Sequence, residues 1–62
     1  MAKLNPSDFP VAKKALMLGY KQHTIAALLG RINQARISEF LNGPLYALVV
    51  PAPALPAGWP PA

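Results

Sequence analysis

The stretch from Gln22 to Gly43 constrains the fold of this chain more than any other, because two apolar runs at helical spacing flank a glycine. The first run predicts a helix that begins at Lys21 or Gln22 and ends at Leu29. Gly30 then breaks the helix and starts a turn. The expected buried side of this helix comprises Ile25, Leu28 and Leu29.

The second apolar run predicts another helix over 34–41, after a turn formed by residues 31–33. Asn33 is a natural N-cap, because its short side chain can accept a hydrogen bond from an amide of the first helical turn. Gly43 is expected to cap the far end, and Pro44 cannot continue the helix. The side chains expected to face the core are Ile37, Phe40 and Leu41.

The N-terminal part predicts a short arm, residues 1–7, followed by a helix from Phe9 to Leu18. Ser7 or Asp8 is the expected N-cap of that helix, and Gly19 is expected to end it in a left-handed conformation. Its apolar stripe is expected to comprise Val11, Ala15, Leu16, Met17 and Leu18. The helical domain therefore spans residues 8–43.

The segment 44–50 has the composition of a strand, and 51–62 is a Pro/Ala-rich tail that favours extended structure. A lone apolar strand leaves two unpaired edges, so it would pair with its counterpart in another subunit or pack against the helices as an extended arm. Trp59 is equally compatible with a free tail and with an anchor on the helices. The residues expected at such a dimer or partner surface are Leu45, Tyr46, Leu48, Val49 and Trp59.

Sixty-two residues allow one domain with a thin core, which usually needs disulfides, a metal or a partner chain. The sequence contains no cysteine and one histidine, so neither a disulfide nor a Cys- or His-based metal site is expected. A homodimer is the remaining common solution. The only carboxylates, Asp8 and Glu39, lie in different predicted helices without a nucleophile and base pattern, so we expect no enzyme and no cofactor.

The C-terminal segment is apolar, but five prolines between Pro51 and Pro61 are incompatible with a membrane-spanning helix. The N-terminus shows no apolar stretch typical of a secretion signal. We therefore expect a cytoplasmic protein without membrane contact. The net charge of +4 suits a polyanionic partner, for which nucleic acid is the leading candidate.

The segment Gln22–Gly43 resembles the helix-turn-helix of phage Cro and repressor proteins and of small bacterial regulators. In that family the first motif helix carries an alanine near its middle and a glycine after its end, here Ala26 and Gly30. A branched apolar residue in the second helix matches Ile37. The interval between Gly30 and Ile37 is one residue longer than the commonest spacing, so the turn is extended and the contact positions shift by up to one; a resolvase-type or homeodomain-like motif tolerates this interval as well.

The resemblance implies a mainly α, three-helix domain that inserts its last helix into the DNA major groove. Amide side chains can pair with adenine, arginine with guanine, and alanine with the thymine methyl group. The implied base contacts are Asn33, Gln34, Ala35, Ser38, Glu39 and Asn42. The expected phosphate contacts are Lys13, Lys14, Lys21, Gln22, His23, Thr24, Arg31 and Arg36, of which Arg36 faces either DNA or solvent.

Two classes of function follow. The first is sequence-specific binding of double-stranded DNA as a dimer, as in a transcriptional repressor or regulator of a bacterial or phage-infected cell, with a recombination directionality factor as a neighbouring alternative. The second is a protein-interaction module, such as an antiactivator or adaptor, that uses the apolar C-terminal segment. The placement of positive charge around the last helix discriminates between them, because a DNA-binding face needs cations beside it.

Overall fold

The computed structural model describes residues 5–30 and 32–62 and is mainly helical, as the sequence predicts. A 3₁₀ turn at Pro6–Asp8 leads directly into the first helix. The four α-helices are α1 (Phe9–Met17), α2 (Gln22–Leu28), α3 (Gln34–Asn42) and α4 (Leu45–Leu48). The bounds of the first three agree with the sequence prediction to within a residue or two, whereas α4 replaces the predicted strand.

Two glycines end the first two helices in the left-handed region, with φ of 95° at Gly19 and 108° at Gly30. At the end of α1, the amide of Gly19 bonds to the carbonyl of Leu16, and the amide of Tyr20 bonds to the carbonyl of Ala15, both at 3.1 Å. This Schellman pattern satisfies carbonyls that the helix leaves unpaired. Both glycines therefore have the role that the sequence predicts.

The N-termini of α1 and α3 are built differently. Asn33 caps α3 as predicted, because its Oδ1 accepts a 2.9 Å bond from the amide of Ala35. Asp8 occupies the N-cap position of α1 but makes no side-chain capping bond, and Ser7 lies within the preceding 3₁₀ turn. The prediction of a side-chain cap at Ser7 or Asp8 was wrong, because the 3₁₀ turn runs straight into α1 and its last residue already has helical geometry.

Seven of the described residues form the buried core, and all are apolar. Ile25 and Ile37 are its largest fully enclosed side chains, and α3 packs mainly against α2. Phe40 is also buried, as predicted, whereas Leu28, Leu29 and Leu41 are only half-buried. The core comprises Ala12, Ala15, Ile25, Ala26, Ile32, Ile37 and Phe40.

The buried face of α1 differs from the predicted stripe. Ala12 and Ala15 are completely buried, whereas Met17 and Leu18 are 58% and 49% exposed. Met17 lies two positions after Ala15, on nearly the opposite side of the helix. Leu18 is the C-cap residue, beyond the last residue of α1. The small alanines therefore bring α1 close to its neighbours, and the larger side chains at its end face solvent.

The predicted strand at 45–50 was wrong, because Leu45–Leu48 forms the short helix α4. A helical turn satisfies backbone groups locally, as in the 3.0 Å bond from the amide of Val49 to the carbonyl of Leu45. A single strand would need a second one to do so, and the described residues include none. Tyr46 packs edge-on against Phe40, with ring centroids 5.5 Å apart, and so fastens α4 to α3.

The Pro/Ala-rich tail, residues 51–62, contains no helix or strand, bends at 53–54, turns at 57–58, and folds back over α1. The amide of Ala52 donates a 3.0 Å hydrogen bond to the carbonyl of Pro10. Near the chain end, the Tyr20 hydroxyl donates to the carbonyl of Pro60, and the rings of Tyr20 and Trp59 meet edge-on at 5.8 Å. Trp59 was equally compatible with a free tail and with an anchor on the helices, and the structure shows the anchored position.

Candidate nucleic-acid interface

The outer face of α3 is a polar surface on which amide and hydroxyl side chains recur at helical spacing. Gln34, Ser38 and Asn42 follow one another at intervals of four residues, so they share one side of the helix. Gln34 and Asn42 are exposed and Ser38 is half-buried. On the other side, Ile37 and Phe40 are buried, which fixes the rotation of the helix about its own axis.

Hydrogen bonds within this face hold part of it in place. The Nδ2 of Asn42 donates to the Ser38 carbonyl oxygen at 2.9 Å and approaches the Ser38 hydroxyl at 3.4 Å. Asn33 is engaged in capping the helix through its Oδ1. Gln34 makes no side-chain hydrogen bond within the described part of the chain, so both ends of its amide can meet a ligand.

The charged residues of α3 pair with each other. Arg36 Nη1 lies 2.7 Å from Glu39 Oε1, with side chains 42% and 63% exposed. An exposed pair of this kind contributes about 0–1 kcal/mol to stability, so its main effect is to balance the carboxylate. Arg36 lies two positions after Gln34 and therefore projects from a different side of the helix. The exposed Ala35 and Glu39 lie between these two sides.

The cations expected at phosphates do not share one environment. Lys21 is exposed at the N-cap of α2, followed by Gln22, His23 and Thr24 in the first turn of that helix. Lys14 is half-buried on α1. Arg31 lies outside the described residues. The positive charge within the described part of the chain is thus spread over three helices, rather than gathered on α3.

Lys13 has a structural partner that sequence reasoning missed. Its ammonium donates a 2.6 Å hydrogen bond to the carbonyl oxygen of Tyr46 and lies 4.7 Å from the centre of the Tyr46 ring. Lys13 therefore links α1 to α4, and the phosphate contact predicted for it stays a prediction. The missed signal was Tyr46, two residues after Pro44, which sequence reasoning placed in a strand.

A shallow cleft lies beside the start of α2, and the end of the tail forms one of its walls. Its lining includes Lys21 and Thr24, both predicted phosphate contacts, together with Pro61 and Ala62. Sequence reasoning did not place the tail here, because nothing local in a proline-rich segment shows where it docks. Lys21 and Thr24 therefore line the same cleft as Pro61 and Ala62.

The residues expected at a partner surface divide into two groups. Tyr46, Val49 and Trp59 are half-buried and pack against the core of their own chain. Leu45 and Leu48 remain 49% and 76% exposed. The first three therefore contribute to the packing of their own chain, because α4 and the tail close on the helices, and their predicted role at a partner surface stays a prediction.

No family model, curated protein or solved structure matches this chain. Among the helices of residues 5–30 and 32–62, none has the length and apolar character needed to cross a bilayer. The same residues contain no cluster of three or more metal-ligating side chains.

Proposed function

We propose that this protein binds double-stranded DNA through the outer face of α3, formed by Gln34, Ala35, Ser38 and Asn42. The observation that carries the proposal is the contrast between the two sides of one helix. Ile37 and Phe40 are anchored in the core, while the opposite side presents amide and hydroxyl groups that are suited to base edges. A helix held in this way can enter a major groove without rearrangement.

The net charge gives the proposal its second support, whereas the placement of the charge does not, because the cations of the described residues are spread over three helices rather than gathered beside α3. By this criterion the charge placement favours the protein-interaction alternative described below. The chain carries a net charge of +4, and Arg36 already balances the Glu39 carboxylate on α3. Lys21 is exposed and suited to a phosphate contact, with the half-buried Lys14 as a second candidate. We infer that the protein is a regulator that acts by occupying a short DNA site.

Binding to duplex DNA across a salt series tests this proposal. Ser38→Ala and Gln34→Ala should reduce discrimination between sequences by about 1–3 kcal/mol per lost base contact. Lys21→Ala should weaken all sequences alike and reduce the salt slope by about one. Ser7→Ala, an exposed serine away from α3, is the matched control for Ser38→Ala. If Ser38→Ala, Gln34→Ala and Lys21→Ala all bind DNA at low salt with unchanged affinity, the assignment of α3 as the DNA-binding helix is refuted.

A protein-interaction module is the second candidate, because Leu48 and Val50 are 76% and 79% exposed. In that case the C-terminal apolar side chains, rather than α3, would carry the binding. Leu48→Ser would then abolish binding to the partner, whereas Gln34→Ala would leave it intact. The two candidate functions therefore predict different sensitive positions. Substitutions on α3 should impair binding to DNA, and substitutions at the C-terminal apolar side chains should impair binding to a protein partner.

A further inference from the structure

Three large apolar side chains are exposed within six residues at the C-terminal side of the helical body. Leu45 and Leu48 are 49% and 76% exposed, and Val50 is 79% exposed. Leu45 and Leu48 are three residues apart on α4 and so share one face of it. We call these three residues the α4 patch.

The chain's own tail does not cover the α4 patch, although it starts beside it. Ala52 is already bonded to Pro10 of α1, and Pro60 accepts a bond from Tyr20. These two attachments direct the tail across α1. The patch thus stays uncovered in a chain whose other C-terminal apolar groups, Leu55 and Trp59, pack against the core.

The charge distribution indicates what kind of surface would cover the α4 patch. No charged residue follows Glu39, so residues 40–62 are neutral in a chain of net charge +4. Repulsion between like charges opposes self-association through the cationic helices, but not through this segment. The Lys13 ammonium does lie against α4, but it is engaged by the Tyr46 carbonyl and ring, so the three side chains of the patch offer no charge to a partner. A neutral apolar surface of the same kind is the matching occupant, and a second copy of this chain provides it.

We propose that the α4 patch is the interface of a symmetric homodimer, in which α4 packs against α4 of a second copy. A two-fold interface brings each residue close to its own equivalent near the axis. Because α4 is fastened to α3 through Tyr46 and Phe40, such a dimer would hold two α3 faces in a fixed relation. The choice of a second copy rests in part on the proposed function, since paired half-sites need paired domains.

Cysteine cross-linking tests the geometry directly, because the chain contains no cysteine of its own. Leu45→Cys and Leu48→Cys should form a disulfide-linked dimer under mild oxidation at micromolar protein concentration. Leu18→Cys is the matched control, because Leu18 and Leu45 are both 49% exposed and Leu18 lies at the end of α1. Cross-linking of Leu18→Cys at the same rate as the two α4 variants would overturn the proposal.

Sedimentation equilibrium of the full chain provides the second test. We expect the mass of the parent to rise with concentration from 6.6 kDa toward twice that value. Leu48→Glu should remain monomeric at concentrations at least ten times higher, while Leu18→Glu should behave like the parent. A parent that is monomeric at high micromolar concentration would overturn the dimer, and binding of that monomer to neutral lipid vesicles or to another protein would identify the occupant instead.

The two proposals can fail separately. A monomeric parent that binds duplex DNA with the expected salt dependence would overturn the dimer and leave the proposed function in place. A parent that dimerises through Leu48 but does not bind duplex DNA at low salt would overturn the proposed function and leave the dimer in place.

Discussion

The ammonium of Lys13 lies 2.6 Å from the carbonyl oxygen of Tyr46, so a cation near the middle of α1 secures the four-residue helix α4. The same ammonium lies over the Tyr46 ring, at 4.7 Å from its centre. A helix of one turn has little stability of its own. Its position therefore depends on contacts such as this one and on the packing of Tyr46 against Phe40.

Replacing Lys13 with methionine should lower the free energy of unfolding by about 1–2 kcal/mol, because a hydrogen bond from a charged group is lost while the apolar stem is kept. Lys14→Met is the matched control, since it removes an adjacent charge that has no hydrogen bond to Tyr46. Urea denaturation of both variants measures the difference. Equal decreases in the free energy of unfolding of the two variants would show that the hydrogen bond between Lys13 and Tyr46 does not contribute to stability.

Phe40→Ala should be the most damaging single change in the core. Phe40 stacks on Phe9 with centroids 4.9 Å apart and meets Tyr46 edge-on, so one truncation loosens α1, α3 and α4 together. The expected loss of about 3–5 kcal/mol is comparable to the whole stability of a domain of this size. Circular dichroism should show a largely unfolded variant, whereas Met17→Ala, at a 58% exposed site outside the α4 patch, should melt like the parent.

Trp59 should report on the folding of the whole chain, because it is the only tryptophan and packs on Tyr20. Thermal unfolding followed by its fluorescence should coincide with the transition seen by far-UV circular dichroism, as expected for one cooperative unit. Trp59→Ala should cost about 1–2 kcal/mol, less than a fully buried aromatic, while Pro56→Ala at an exposed position should cost little. A fluorescence transition well below the helical one would mean that the tail detaches independently.

Asn33→Asp should separate stability from DNA binding. Aspartate caps a helix about as well as asparagine, and its charge near the N-terminus of α3 adds roughly 0.3–1 kcal/mol. The melting temperature should therefore stay constant or rise slightly. The affinity for duplex DNA should fall several-fold, because a carboxylate at this end of α3 would bring a negative charge close to the polyanion. A stable Asn33→Asp variant with undiminished affinity would place the DNA-binding surface elsewhere.

Local signals predicted the helices well. Gly19 and Gly30 end α1 and α2, and Asn33 begins α3, because each of these residues satisfies a backbone requirement that depends only on its neighbours in sequence. The apolar spacing around Ile37 likewise identified the buried side of α3. These features need no knowledge of the rest of the fold.

Features that depend on distant parts of the chain were not predictable in the same way. The composition of residues 45–50 favours a strand, but no second strand within the described residues pairs with it, and a helix forms instead. Ile32 is buried within a turn, where its amide bonds to the Ala26 carbonyl at 3.1 Å. Helical periodicity does not extend into a turn, so it gives no sign of this burial. Similarly, Lys13 was assigned to DNA because its partner Tyr46 is 33 residues away.

The return of the tail across α1 has a consequence for the order in which the molecule assembles. The bond between Tyr20 and Pro60 spans 40 residues, whereas α2 and α3 meet across a short turn. Closing the longer loop costs more chain entropy, so we expect the α2–α3 pair to form early and the tail to dock last. Interactions made after the rate-limiting step slow unfolding and leave the folding rate nearly unchanged. Docking of the proline-rich segment would then lower the unfolding rate of the protein without raising its folding rate.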